Sequence, residues 1–314
     1  MRNLLLLLTA SLPAVRVVSQ PAQPVVYGRE ITVTTENDAY LLQRKDAYYT
    51  NGFFFTHKTA REKNGQKRIA VFELGQMIFT PLIRKTTGPA DIDRPYCGLL
   101  YLKLSQQRFL RNDDVLQSSL ALGEVGRASL GEDVQNGYHR LLKYGRFTGW
   151  QYQVQDALGI DAGISFAHTL LEDSTLVKLV PVAEANLGLN FTNAKLGAYV
   201  CLGSFEKNRN SALWNARVQT KATATQRKYE LFVYWYPQLI VQGYNSTIQG
   251  GLLRKGSGAV LGKPETIMFQ QSLGVCYAEA RWTTKLALVS QSREAVTQTT
   301  PQQYGSIQLS YRLH

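Results

Sequence analysis

The chain has 314 residues, with 35 Lys and Arg against 23 Asp and Glu, a formal charge of +12. Its three cysteines, Cys97, Cys201 and Cys276, are odd in number and far apart, which excludes a disulfide framework; no C-x-x-C pair or Cys/His cluster offers a zinc site. No segment past the N-terminus reaches about 18 consecutive apolar residues, so a membrane-spanning helix is excluded.

Residues 1–20 read as a secretory signal. Arg2 supplies the positive start, and Leu4 to Leu8 with the residues up to about Val15 supply a short apolar core. Residues 21–314 are then expected to form one exported domain. Export changes the meaning of the basic excess: an anionic surface or lipid becomes the natural partner, and nucleic acid does not.

From there the chain reads as strand after strand. Ile31 and Val33 alternate with threonines. Leu100, Leu102 and Leu104 alternate with Tyr101, Lys103 and Ser105. The same period of two recurs at Leu116–Leu122, Leu158–Phe166, Leu196–Leu202 and, last, Ile307–Leu313. About twelve such segments can be placed, centred near residues 32, 53, 72, 103, 119, 162, 182, 198, 234, 272, 287 and 308. Each carries one apolar face and one polar or small face, which suits a closed antiparallel transmembrane β-barrel with lipid outside and a crowded interior. The 17 Tyr, 12 Phe and 4 Trp suit aromatic girdles. A soluble β-sandwich shares the alternation, but a closed barrel leaves no strand edge in lipid. Longer connections are expected near 79–96, 126–152 and 243–264, with short turns at the opposite end.

Chemistry-bearing residues gather in three places. Glu36-Asn37-Asp38 ends the first strand and Tyr48-Tyr49-Thr50-Asn51-Gly52 opens the second. Antiparallel pairing brings Asn37, Asp38, Thr50 and Asn51 to one rim, where carboxylate, amide and hydroxyl oxygens suit calcium; ordinary turn chemistry uses the same residues. Arg84 and Lys85, in the first of these long connections, are candidate phosphate partners or plain solvated charge. The segment Ser129–Gly145 carries the helix signal. Ser129 and Glu132 have capping-box spacing. Val134, Tyr138, Leu141 and Leu142 form an apolar stripe, and Gln135 and His139, four apart, share a face beside it. A neutral imidazole there can take a proton from water at neutral pH; a surface histidine on a loop helix fits the same local pattern. No G-x-S-x-G elbow is present, so a water-attacking mechanism, with His139 as base and a cation at the Asn37/Asp38 rim, is preferred to a serine nucleophile.

The ordered set Glu36-Asn-Asp38, Tyr48-Tyr-Thr-Asn-Gly52, Gln76 with Phe79-Thr80-Pro81, Asp93-Arg-Pro-Tyr96, Gly126 through Val134-Gln-Asn136 to His139, Gly149-Trp-Gln-Tyr-Gln153 and Asn245-Ser-Thr-Ile-Gln-Gly250 resembles the lipid A 3′-O-deacylase family of outer-membrane barrels, over residues 30 to about 313. The resemblance implies twelve strands and a calcium-dependent site between the wall and a helical extracellular loop. It implies His139 as the base, Thr50 and Gln135 completing the site, Asn37 and Asp38 holding Ca2+, and Arg84 or Lys85 meeting a lipid A phosphate of the lipopolysaccharide substrate. It places the protein in the outer membrane of a Gram-negative bacterium. Three positions depart from the family pattern. Gly145 stands where a glutamate follows the histidine by six residues, Arg127 replaces a proline, and Cys97 replaces a small residue. The first leaves the orientation of His139 to another group, with Gln135, Glu132 and Asp133 as candidates. The alternatives are a catalytically altered barrel with a transport or structural role, a phospholipase-like esterase, and a soluble exported β-protein.

Overall fold

The alternating segments form strands that pair in chain order. The computed structural model describes residues 26–41, 47–141, 143, 145–173, 176–220, 228–253 and 258–314; the expected signal segment 1–20 and Leu142 lie outside them. The strands are β1 (Arg29–Asn37), β2 (Tyr48–Lys63), β3 (Gln66–Thr80), β4 (Cys97–Phe109), β5 (Val115–Val125), β6 (Ala157–Ala167), β7 (Leu171–Asp173), β8 (Val177–Gly188), β9 (Phe191–Ser204), β10 (Tyr229–Asn245), β11 (Ile267–Glu279), β12 (Trp282–Gln291) and β13 (Gln302–Leu313). β1 pairs with β13 as well as β2, and β6 pairs with β8, so the sheet closes on itself. The brief β7 is β6 resumed after an irregularity: Ala167 faces Val182 and Leu171 faces Leu179 of the same strand β8. Counted this way the barrel has twelve antiparallel staves, and each of the twelve expected strand centres falls within one of them.

Side-chain alternation sorts the residues onto two walls. Leu102, Leu104, Leu120, Leu122, Ile160 and Ile164 are exposed on the outer face, as a lipid-facing belt requires. Inside, buried charges pair. Glu30 accepts from Lys58 at 2.8 Å and from Arg312 at 3.2 Å, and Arg217 meets Glu230 at 3.0 Å. Such pairs fill the interior and are tolerated because each carboxylate keeps its cationic partners.

The two ends differ. Arg29 and Leu313 face each other at one end. There Asn64 and Gly65, both with positive φ (55° and 71°), make a two-residue hairpin turn. The expectation of short turns throughout this end fails at the β9–β10 connection. Residues 205–220 instead fold into the barrel mouth. Lys67 donates to Arg209 O (2.7 Å) and Ala216 O (2.6 Å), Lys285 to Leu213 O (3.1 Å) and Gln308 to Asn215 Oδ1 (2.8 Å). Ala216 and Val218 join a core with Ile69, Val180 and Tyr236. The segment has no period-two pattern, and its backbone is satisfied by side chains of distant strands, which local patterning does not display.

The long connections 81–96, 126–156 and 246–266 rise from the opposite, loop end. Arg94, a candidate anion contact by sequence, is fully buried there. It pairs with Glu294 at 2.7 Å and donates to Thr247 Oγ1 at 3.0 Å, which ties three loops together, and it lies 3.9 Å from the Phe79 ring centroid of β3.

Candidate active site

Two consecutive residues of β2, Thr50 and Asn51, face outward at the loop end. Tyr49 pairs with Phe79 and Asn51 with Ile78, so Thr50 is the extra residue of a β-bulge. Tyr49 points into the lumen, where it joins Phe79, Leu99 and Tyr304. Thr50 and Asn51 are both turned onto the outer wall. Counted back from the outward Asn51, strict alternation would have sent Thr50 inside and Tyr49 outside; the bulge resets the count.

The helix α1 (Gly131–Leu141) lies against the outside of the barrel. Its entry is pressed onto β4 at Gly98: a Cβ there would come within 2.1 Å of Ser129 Oγ and 2.9 Å of Gly131 Cα, so only glycine permits the approach. Gln76 of β3 donates to Ser129 O at 2.7 Å and fixes the same point. The capping box expected between Ser129 and Glu132 does not form. Ser129 instead donates its hydroxyl to Gly126 O, Leu130 takes the left-handed conformation (φ 60°), and the helix begins at Gly131.

The face that α1 turns to the wall is polar. Gly131, Gln135 and His139, spaced by four, are its buried residues. Gln135 donates from Nε2 to Thr50 Oγ1 at 3.2 Å, and Thr50 passes its proton toward Ile78 O at 3.4 Å. The other amide atom, Gln135 Oε1, is buried with no hydrogen-bond partner in the structure. An acceptor so placed costs about 1–3 kcal/mol, which water or a cation would relieve.

His139 sits one turn further along. Its Nδ1 lies 2.7 Å from Gly145 O. A carbonyl only accepts, so Nδ1 carries a proton, and in the neutral imidazole the lone pair is then on Nε2. The orienting group is therefore a backbone carbonyl, supplied by the residue that departs from the family pattern. None of Gln135, Glu132 and Asp133 is needed for it. Phe147 packs 5.4 Å from the imidazole, and the Arg84 guanidinium lies over the Phe147 ring, 5.4 Å from its centroid. Lys85 is exposed on the same connection.

Asn37 and Asp38 close the third side. Asn37 pairs with Asn51 across the β1–β2 ladder and donates to its Oδ1 at 2.5 Å. Its own Oδ1 accepts from Ala39 N at 2.6 Å. Asp38 opens a 3₁₀ turn (Asp38–Leu41), is buried, and accepts from Ala47 N at 2.8 Å. Tyr40 of that turn folds back over Gly305 of β13, the ladder partner of Asn37. Asn37, Asn51, Thr50, Gln135 and His139 thus form one connected set on the outer wall at the loop end. Asp38 is joined to it through its neighbour, and Arg84 through Phe147.

The oxygens suit a hard cation in kind: one buried carboxylate, amide and hydroxyl oxygens, and the unpaired Oε1 of Gln135. Among the described residues no group of three or more His, Cys, Asp or Glu could hold a metal. A cation here would have to be completed by neutral oxygens and water. Sequence reading did not single out the anchoring roles of Gln76, Gly98 and Phe147. All three act through contacts with residues far along the chain.

One solved structure shares this architecture closely. LpxR from Salmonella typhimurium superposes with a TM-score of 0.73 at 18% identity, covering 90% of this chain and 100% of that one. The β domain of the Bordetella autotransporter BrkA (TM-score 0.48, 12% identity, 92% and 99% coverage) and the translocator domain of NalP from Neisseria meningitidis (0.46, 10%, 91% and 88%) are more remote. No curated protein matches by sequence. The family described as "Outer membrane protein LpxR" matches residues 4–313, and with nearly the whole length matched, the chain belongs to the LpxR family of outer-membrane β-barrel proteins.

Proposed function

We propose that the protein is an outer-membrane lipid A deacylase that hydrolyses the 3′-O-linked acyl ester with water activated by His139. The observation that carries this reading is the polar face of α1 held against the outer wall, with Gln135 on Thr50 and His139 aimed by Gly145 O. Family membership supports the substrate class. A site on the outside of a barrel meets an acyl ester from the outer leaflet, where lipopolysaccharide resides.

The steps follow from these groups. His139 Nε2 takes a proton from water as the water oxygen attacks the ester carbonyl carbon. Gly145 O steadies the imidazolium through Nδ1–H. As the tetrahedral intermediate collapses, the bond to the sugar 3′ oxygen breaks and the imidazolium returns its proton to that oxygen. The products are a free 3′ hydroxyl and a fatty acid. Thr50 and Gln135 hold the water-side geometry, and the buried Oε1 of Gln135 accepts from the attacking water or meets the cation. Calcium, held by Asn37 and Asp38, would polarise the ester carbonyl when bound. Arg84 and Lys85 face a lipid A phosphate, Arg84 being pre-set by its stack on Phe147. The interior plugged by residues 205–220 speaks against the transport alternative.

The test is a mass spectrum of lipid A from cells making the wild type or His139→Ala, with barrel folding checked by heat-modifiable gel mobility. Loss of one 3′ acyl chain only in the wild-type cells is expected. Lipid A left intact by the folded wild type would end the reading, and lysophospholipid in its place would move the activity to glycerophospholipid.

A further inference from the structure

The side of α1 turned away from the barrel is divided in a way that the site chemistry does not use. At about 100° per residue, the helix has three sectors. Gly131, Gln135 and His139 face the wall. On one flank stand Val134, Tyr138 and Leu141, with Leu130 just ahead of the first turn; on the other stand Glu132, Asp133, Asn136 and Arg140. Tyr138 is half-buried, but the aliphatic residues of the flank are open: Leu130 is 52% exposed, Val134 45% and Leu141 79%. A helix that packs on a soluble core buries its apolar stripe; this one buries a polar stripe and leaves the apolar one open.

The barrel itself says what lies beside that flank. α1 is anchored on the outer wall at Gly98 and Gln76. In the ladder the next level is Phe53, Gln76 and Leu100, and Phe53 (54% exposed), Leu74 and Leu102 continue the open apolar surface downward. The flank is thus continuous with the lipid-facing belt. Basic residues mark its ends: Arg127 precedes the helix, Arg140 lies in its last turn, and Lys143 and Arg146 follow, all exposed. An apolar flank, a charged flank and basic ends are the features of a helix lying in a membrane interface.

We infer that α1 is an interfacial helix whose Leu130–Val134–Leu141 flank is immersed in the acyl region of the outer leaflet, with its charged flank in water and its basic ends at anionic headgroups. The site beneath it is then entered sideways from the leaflet. The inference concerns the membrane contact of the helix and stands whether or not the site is hydrolytic.

Depth-dependent quenching tests it in the full-length protein in lipid vesicles. Cys97, Cys201 and Cys276 are buried, so a cysteine introduced on the helix surface is the one labelled. Leu141→Cys and Val134→Cys, carrying an environment-sensitive fluorophore, should be quenched at least two-fold by phosphatidylcholine brominated high on its chains, less by lipid brominated near the chain ends, and little by aqueous iodide. Arg140→Cys should show the reverse preference. Iodide quenching of all three, or equal response on both flanks, overturns the inference. Variants are checked for heat-modifiable folding, with Leu130→Cys replacing one that fails. Lipid A deacylation by the unlabelled wild type is read separately, so the two readings fail independently.

Discussion

The Glu30 cluster inside the barrel and the Gln135 cluster on its outer wall are both buried and polar, yet they are built on opposite principles. Glu30 has both carboxylate oxygens engaged, Oε1 by Lys58 and Thr32 and Oε2 by Arg312. Gln135 has its amide nitrogen clamped to Thr50 and its oxygen left without a partner. A closed network of charges stabilises a wall by keeping every member paired. An acceptor held rigid and unsatisfied is ready for something that arrives during the reaction. The first region is expected to answer mutation in stability, the second in turnover.

The largest effect expected on turnover is from His139→Ala, which should reduce deacylation by about 10²–10⁴-fold, the usual contribution of a positioned base, with an unchanged denaturation midpoint. Full activity in that variant would remove His139 from the chemistry. Asp38→Ala and chelation should lower the rate together, and neither should add to the other. Because the site offers a single carboxylate, half-maximal calcium is expected in the range of about 10⁻⁴–10⁻³ M; a rate indifferent to EDTA would discard the cation. On the lumen side, Lys58→Met leaves Glu30 with one cationic partner and should destabilise the barrel by about 3–5 kcal/mol, read by guanidinium unfolding in detergent, while the folded fraction keeps its activity. Gln135→Leu sharpens the contrast. It should lower activity and leave stability nearly unchanged, because the lost bond to Thr50 is offset by removal of the unsatisfied oxygen. A drop of several kcal/mol would make Gln135 a structural residue like Glu30. The smallest effect belongs to the exposed Lys85. Lys85→Ala should weaken apparent substrate affinity slightly, and the difference should fade at high salt.

How much of this could be read beforehand varies by residue. Each of the twelve expected strand centres lies within an observed strand, and the gathering of Asn37 with Asn51 follows from pairing consecutive strands. Gln135 and His139 share a face, as their spacing requires. Other features needed distant partners. The bulge that turns Thr50 outward depends on its pairing with β3. The start of α1 is moved by Gly98 and Gln76, more than thirty residues upstream. The orienting group of His139 is a main-chain oxygen, and a carbonyl carries no residue identity, so the replacement of a carboxylate by glycine gives no local sign that the hydrogen bond survives.

By itself the sequence determined the strand count, the two walls and the composition of the candidate site, because a period of two is a local property of extended chain and every residue states its own polarity. Tertiary structure decided which face of the short helix is buried, which atom aims the imidazole and what fills the lumen. Those depend on which surfaces meet: a helix laid on a wall that borders lipid buries its polar face, since the apolar one has a better solvent outside.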